Sequence, residues 1–297
     1  MPRIAVIANC SAGAGVDEQA RMDEVRRAFA ATGVRPDVAC VPGAGLEAAA
    51  RRALRSGASV VVAAGGDGTV NAVASAVAGT ATPMAVLPLG TLNHFARDAG
   101  IPTDLEEAAA VAVAGRAQPI DVAEVNGRVF VNNSSIGAYP RAVRERERRH
   151  SLGGKRLATL GAAWRVLRRL PTHHVTLALD GLPLRRTTSF VFVGNNLYET
   201  GFGRLGRRAS LADGRLGVYH VQRPGRRAIL GLAANAIVGR LPKARFFEAD
   251  EATRLVIRSP RRQLRVALDG EVLRLRTPLE YRIRPRSLLV MRPRSPP

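Results

Sequence analysis

Residues 60–71 restrict the fold more than any other stretch of this chain. Val60-Val61-Val62-Ala63-Ala64 is a run of small and β-branched apolar side chains, Gly65-Gly66-Asp67-Gly68 breaks it, and residues 70–78 are rich in Ala and Val with no proline. The run reads as a buried strand and the later segment as a helix. A strand that enters a helix through a glycine loop aims backbone N–H groups and the positive helix end at an anion. Glycine also lets the backbone approach a phosphate with no Cβ in the way. Asp67 is out of place in a bare phosphate cradle. A carboxylate there fits if it holds a metal ion, or if it orients a loop that does. A plain Asp-Gly turn is the competing reading of these residues in isolation.

The same grammar runs through the first hundred residues. Strands are expected at 4–8, 35–40, 60–64 and 84–87, with helices at 17–31, 46–55, 70–78 and 105–114. Alternation of this kind implies parallel strands with helices on both faces. The small-residue loop Asn9-Cys10-Ser11-Ala12-Gly13, the Gly65 loop and Pro88-Leu89-Gly90-Thr91-Leu92-Asn93 all follow strands. They therefore meet at the carboxyl edge of the sheet, where open α/β sheets bind ligands. Thr91 and Asn93 read equally well as ligand contacts and as helix caps.

From Pro119 onward the pattern changes. Asn126-Gly127 sits between two β-type runs, a strong hairpin signal, and residues 175–184 and 265–275 each carry Leu-Asp-Gly between such runs. Further short strands are expected at 189–194, 217–222, 254–257, 280–283 and 288–291. This half is predicted to be an antiparallel β-sandwich. The domains are 1–118 and 119–297, with the last strand free to pack back on the first. Residues 141–169 form an Arg-rich amphipathic helix containing Trp164, suited to a membrane interface or to packing on the domain. Residues 228–238 form a weakly polar helix.

Composition removes several classes. No apolar run approaches the ~20 residues that span a bilayer, and Pro2-Arg3 leads straight into a strand with no leader pattern, which places the protein in the cytoplasm. Cys10 and Cys40 are the only cysteines among 297 residues. They are too few for a disulfide scaffold, and no Cys/His cluster has zinc-ligand spacing. The net charge of +21 favours phosphate-rich partners. Lys155 and Lys243 are the only lysines among 45 basic residues, a skew that points to codon bias and to some charge carried by solvated faces. The scattered aromatics offer no single-strand stacking platform, so a specific nucleic acid partner is not expected.

Asp269-Gly270-Glu271 adds two carboxylates at a turn. Transfer of phosphate to a hydroxyl needs a base near the acceptor, a carboxylate for Mg²⁺ and donors around the phosphates. Ala178-Leu179-Asp180-Gly181 resembles Ala267-Leu268-Asp269-Gly270 but lacks the second acid, so Glu271 is the residue the turn does not require. Taken together, Gly65-Gly66-Asp67-Gly68-Thr69-Val70-Asn71, Gly90-Thr91-Leu92-Asn93-His94-Phe95-Ala96-Arg97 and Asp269-Gly270-Glu271 resemble the diacylglycerol kinase catalytic-domain family in its bacterial lipid-kinase form. The likeness extends to Asp121, Asn132 and Ala212-Asp213-Gly214-Arg215.

The resemblance implies an N-terminal domain like that of NAD kinases and 6-phosphofructokinases, a C-terminal β-sandwich, and a cleft between them for ATP with Mg²⁺. It implies that Asn9, Ser11, Gly13, Gly65, Gly66, Asp67, Gly68, Thr69, Asn71, Thr91 and Asn93 contact the nucleotide. Glu271, or failing it Asp269, is the implied base. Asp67 is an implied metal residue, and Asp213 with the carbonyls of Ser210 and Arg215 an implied structural Mg²⁺ site. Three positions depart from the family pattern: Cys10 for Pro, Ala72 for Glu, and His94 for an Asp. A neutral imidazole is a poor Mg²⁺ ligand, which leaves Asp98 as an alternative carboxylate. The expected activity is ATP-dependent phosphorylation of diacylglycerol or a related membrane lipid at an anionic bilayer. An NAD kinase-like enzyme and a lipid- or nucleotide-binding member without turnover are the alternatives. Exposed strand edges make a homodimer a further expectation.

Overall fold

The computed structural model describes residues 3–10, 18–137, 173–199, 207–222 and 247–294. Ser11, Gly13 and the two helices expected at 141–169 and 228–238 lie outside them. The first domain is an α/β layer. Strands β1 (Ile4–Asn9), β2 (Asp37–Val41), β3 (Val60–Gly65) and β4 (Met84–Pro88) pair in parallel in the order β2-β1-β3-β4. All six residues of β3 are buried, which is why this strand shows no polar alternation: both of its faces are covered. Helix α2 (Leu46–Arg55) turns Leu46, Ala49 and Ala50 inward at helical spacing. It packs against α3 (Asp67–Val77), while α1 (Glu18–Ala30) packs against α5 (Leu105–Ala114). Helix α5 begins where Asp104 accepts bonds from the amides of Glu106 and Glu107, both at 3.0 Å.

The second domain is an antiparallel β-sandwich, with the strands ordered β14 (Glu271–Arg276), β13 (Gln263–Leu268), β7 (Asn133–Gly137), β9 (Leu182–Asn195), β8 (His173–Leu179), β12 (Arg254–Arg258) and β15 (Leu279–Arg292). Two pairs of segments read as separate short strands are single long ones. Strand β9 (Leu182–Asn195) continues from the hairpin through 189–194, and β15 (Leu279–Arg292) joins 280–283 to 288–291; each has 14 residues. In β15 the register shifts between Arg284 and Leu288, and Arg286 has φ 50°. Pro285 cannot donate to a ladder, so the strand bulges there and continues.

That bulge carries the chain from one core to the other. Tyr281 and Ile283 belong to the sandwich core, whereas Leu288, Val290 and Met291 belong to the α/β core. Strand β5 (Arg116–Val125) crosses in the opposite direction, with Ile120 and Val122 in the first core and Ala123 and Val125 in the second. The two strands pair along most of their length. Asp121, fully buried, fixes the crossing: its carboxylate accepts bonds from the amides of Arg286 and Gly214, both at 2.7 Å.

The Cys10 and Cys40 sulfurs are in bonding contact, with Cα atoms 5.6 Å apart. The two cysteines form a single cross-link, because parallel β1 and β2 bring Asn9 opposite Val41 and so set the cysteines side by side. No described helix is long and apolar enough to cross a membrane.

Candidate active site

Parallel pairing fixes the site edge. Ala8 lies beside Ala64 and Gly65 beside Pro88, so Asn9, the Gly66 loop and the Gly90 loop leave the sheet together. The two glycine loops touch backbone to backbone. A Cβ on Gly90 would lie 2.5 Å from Gly66 Cα and 2.7 Å from Asn93 Oδ1. A Cβ on Gly65 would overlap the Thr69 side chain, 2.7 Å from its Cβ. Gly90→Ala is therefore expected to push the loops apart and to cost about 1–3 kcal/mol of stability, read by chemical denaturation. An unchanged midpoint would show that the loops separate freely.

Helix α3 starts at this contact, with Gly66 as its N-cap and Asp67 in its first turn. The first amides of a helix have no partner within it, and here they face the sheet edge. Asp67 does not point into that space alone. Its Oδ1 accepts from the Phe95 amide at 3.0 Å and from Asn132 Nδ2 at 3.3 Å, and its Oδ2 accepts from the His94 amide at 3.2 Å. Asp67 therefore caps helix α4 (His94–Asp98). A carboxylate has about four acceptor positions, so Oδ2 keeps one for a cation or a water. Asn93, at φ 46°, directs its amide into its own loop, donating to the Pro88 and Gly90 carbonyls at 3.1 and 2.7 Å. Its geometry is that of a loop staple. Thr91 and His94 are exposed beside it, and the His94 ring lies 3.0 Å from Arg97 Nη2.

The second domain delivers Asp269 and Glu271 to the same place and uses them differently. Asp269, at φ 45°, heads the turn between β13 (Gln263–Leu268) and β14 (Glu271–Arg276). Its carboxylate accepts the amides of Val131, Asn132 and Asn133 at 2.8, 2.9 and 2.8 Å. Asn71, with its amide turned to suit its neighbours, adds a donor at 3.1 Å. Burial pushes the Asp269 pKa up to about 6, against these backbone bonds and the nearby Arg208 charge. With every acceptor direction filled, Asp269 is a clasp on the loop after β6 (Arg128–Phe130), and Asn71 is part of that clasp.

The hairpin at Asp180 repeats the device. Asp180 also has φ 45° and accepts the amides of Thr253 and Arg254. What differs is Glu271, which is exposed, with Oε1 3.8 Å from the point where a Cβ on Gly68 would sit. Of the two acids in the turn, only Glu271 faces the glycine loop with no partner for its carboxylate among the described residues.

One residue that the sequence did not single out ties the two halves together. Arg208, fully buried at its side chain, pairs with Asp98 at 2.8 Å and donates to the carbonyls of Val131 and Asn195 and to Asn132 Oδ1. Asp67, Asn132, Arg208 and Asp98 thus form one chain of polar contacts across the cleft. Asp98 gives its Oδ2 to this network, and its side chain is buried beside Arg208. Nothing near Arg208 in sequence marks it, since its partners lie 13 to 110 residues away. Asp213 is exposed on the loop before β10 (Leu216–Gln222). Its neighbour Gly214 is tied to Asp121, and the Arg215 carbonyl accepts the Asn196 amide at 3.1 Å. Oxygen donors of this kind suit Mg²⁺.

Two family models match the chain. Residues 3–125 match the diacylglycerol kinase catalytic domain, and residues 135–292 match the YegS C-terminal NAD kinase β-sandwich-like domain. The chain belongs to the diacylglycerol kinase catalytic-domain family. Among the family's curated members, a probable lipid kinase YegS-like from Cronobacter sakazakii is 47% identical over 87 residues, covering 28% of this chain and 29% of that one. A counterpart from Pseudomonas aeruginosa is 46% identical over 128 residues, covering 40% and 41%. The matched segments therefore span well under half of these relatives. A putative diacylglycerol kinase of Bacillus anthracis str. Sterne shares the fold, with TM-score 0.72 at 23% identity, covering 98% of this chain and 97% of that one.

Proposed function

We propose that the protein is an ATP-dependent lipid kinase that transfers the γ-phosphoryl group of ATP to a hydroxyl of diacylglycerol or a related membrane lipid. One observation carries this reading. A carboxylate from the second domain, Glu271, stands over Gly68 of a helix-entry glycine loop in the first, with no partner among the described residues. The family relationship of both domains supports it. Mg²⁺, when bound, would neutralise charge developing on the phosphates. Asp67 would hold it through the free position on Oδ2, directly or through water, and Asp213 with the Ser210 and Arg215 carbonyls would hold a second, structural ion.

The chain's own residues supply the rest. The amides of Gly66, Gly68 and Thr69 orient the phosphates, with Thr91 and Asn9 at the same edge. Glu271 takes the proton of the acceptor hydroxyl as its oxygen bonds to phosphorus and the bond to the leaving ADP oxygen breaks. Asp269, Asn71 and Asn93 position the loops. The test is transfer of label from γ-labelled ATP to a panel of diacylglycerols, monoacylglycerols and sphingoid bases, with NAD⁺ as a parallel acceptor. Labelled lipid is expected. Labelled NADP⁺ alone, or ATP binding with no transfer to any acceptor, would overturn the assignment.

A further inference from the structure

The two cysteines of this chain are 30 residues apart, and the fold joins them at the edge of the candidate site. Cys10 follows Asn9, the last residue of β1, and Cys40 lies in β2. Parallel pairing sets Ala8 beside Cys40. Side chains two residues apart along a strand share a face, so Cys10 projects on the side of Ala8, toward Cys40. Their Cα separation of 5.6 Å suits a disulfide.

The cross-link also acts in one direction. Strand β1 lies between β2 and β3. Its pairing with β3 ends at Ala8 and Ala64, whereas its pairing with β2 continues through Asn9 and Val41. The Cys10 amide then donates to the Val41 carbonyl at 3.2 Å. The chain therefore leaves the sheet tied to β2 and already parted from β3, the strand that carries the Gly66 loop. The disulfide fastens the backbone beside Asn9 on that side.

The bond is placed where it can be opened. Both cysteines are half-buried, and β2 is the terminal strand of its sheet, with no fully buried residue. Thiol–disulfide exchange requires that an outside thiol reach one of the sulfurs, and an edge strand opens at low cost. The third group at the sulfurs is Glu18, in the first turn of α1. Two thiolates and a carboxylate are also a ligand set for Zn²⁺, a competing occupant that the experiment below separates.

We propose that Cys10 and Cys40 are a reversible oxidation site that sets the affinity of the candidate site for ATP. The disulfide holds Asn9 on the β2 side of the edge and weakens nucleotide binding, and reduction restores it. This rests on the ATP-binding reading above. Oxidation by a small-molecule disulfide runs through a mixed disulfide: one cysteine sulfur displaces a thiol from the oxidant, and the second cysteine sulfur then displaces the other. The Cys10–Cys40 bond forms, the oxidant's S–S bond breaks, and two electrons and two protons leave as two small thiols. A dithiol reverses the step.

The experiment uses the full chain without lipid. The Kd for ATP with Mg²⁺ is measured by calorimetry on protein reduced with dithiothreitol and on protein oxidised with glutathione disulfide, each freed of reagent. Mass spectrometry should show the oxidised chain two hydrogens lighter than the reduced one. The oxidised protein is expected to bind ATP about tenfold more weakly or worse, the cost of one hydrogen bond to a charged phosphate. Cys10→Ser/Cys40→Ser should keep the Kd of the reduced protein under both treatments. Equal Kd in the two states, tighter binding in the oxidised one, or the same response in the double variant would overturn the switch. Zn²⁺ held by the reduced pair, with a Kd for ATP that ignores oxidation, would assign the cysteines and Glu18 to a metal instead. A redox-sensitive Kd with no lipid labelled by the enzyme would overturn the kinase reading and leave the oxidation site standing. No ATP binding in either state would overturn both.

Discussion

Glu271→Gln is expected to lower kcat by about 10²–10⁴-fold, the range that a positioned general base contributes. The KM for ATP and the melting temperature should stay close to those of the unmodified protein. The isostere keeps the shape of the side chain and removes its capacity to take a proton. The Glu271 side chain is exposed and makes no hydrogen bond to any described residue, and its backbone pairing with Leu268 is unchanged by the substitution, so no folding contact is lost. Asp269→Asn should give the opposite pattern. The Asp269 carboxylate accepts three backbone amides and the Asn71 amide, and an Asn side chain must face at least one of those donors with another donor. A buried donor left unmatched costs about 1–3 kcal/mol. The loss should appear first in denaturant midpoint and only secondarily in rate. Steady-state kinetics beside unfolding curves separate the two. Full activity in Glu271→Gln, with activity lost and stability kept in Asp269→Asn, would exchange the roles assigned here.

Asp98→Ala is expected to be the most destabilising single change, by about 3–5 kcal/mol. It leaves the Arg208 guanidinium buried without its counter-ion, and an orphaned buried charge carries a cost of that order. At roughly 2–4 °C per kcal/mol for a chain of this size, the melting temperature should fall by on the order of 10 °C. Asp98→Leu combined with Arg208→Met should recover part of the loss, because a buried ion pair can often be replaced by apolar groups of similar volume. Recovery should be incomplete, since Arg208 also satisfies the Val131 and Asn195 carbonyls and Asn132 Oδ1. Activity should fall with stability, because Asn132 links this network to Asp67. A melting temperature within a degree or two of the unmodified protein would show that water reaches Arg208 and that the pair is not an interdomain fastening.

Much of the architecture was legible from local pattern. The unbroken apolar run of β3, the Gly-Gly-Asp-Gly break and the Asn126-Gly127, Asp180-Gly181 and Asp269-Gly270 turns each depend on residues within about ten positions. All three turns take the positive φ angles that their sequences predict. The long strands were harder to see. Pro285 resembles a strand terminator, and only the presence of β5 on one side and β4 on the other makes it cheaper for β15 to bulge and continue than to stop. The pairing of Cys10 with Cys40 likewise depends on which strands become neighbours.

The candidate site divides along the same line. The chain by itself determined that a glycine-loop helix entry, a Gly-Thr loop and a carboxylate turn occur together, because those chemistries are written in contiguous residues and in a family pattern. The role of each polar side chain was decided only by the tertiary structure. Asp67 reads as a metal residue in the sequence, and only the fold shows that it also caps α4 and keeps one Oδ2 position open; Asp98 reads as a spare carboxylate, and only the fold sets it against the buried Arg208. The sequence favours Glu271 over Asp269 because a hairpin turn requires only the Asp, and the fold supplies the reason in space: the loop after β6 fills Asp269 with hydrogen bonds and leaves Glu271 facing Gly68. A carboxylate's function depends on how many of its acceptor positions the fold has already filled, and the donors that fill them come from segments up to 138 residues away.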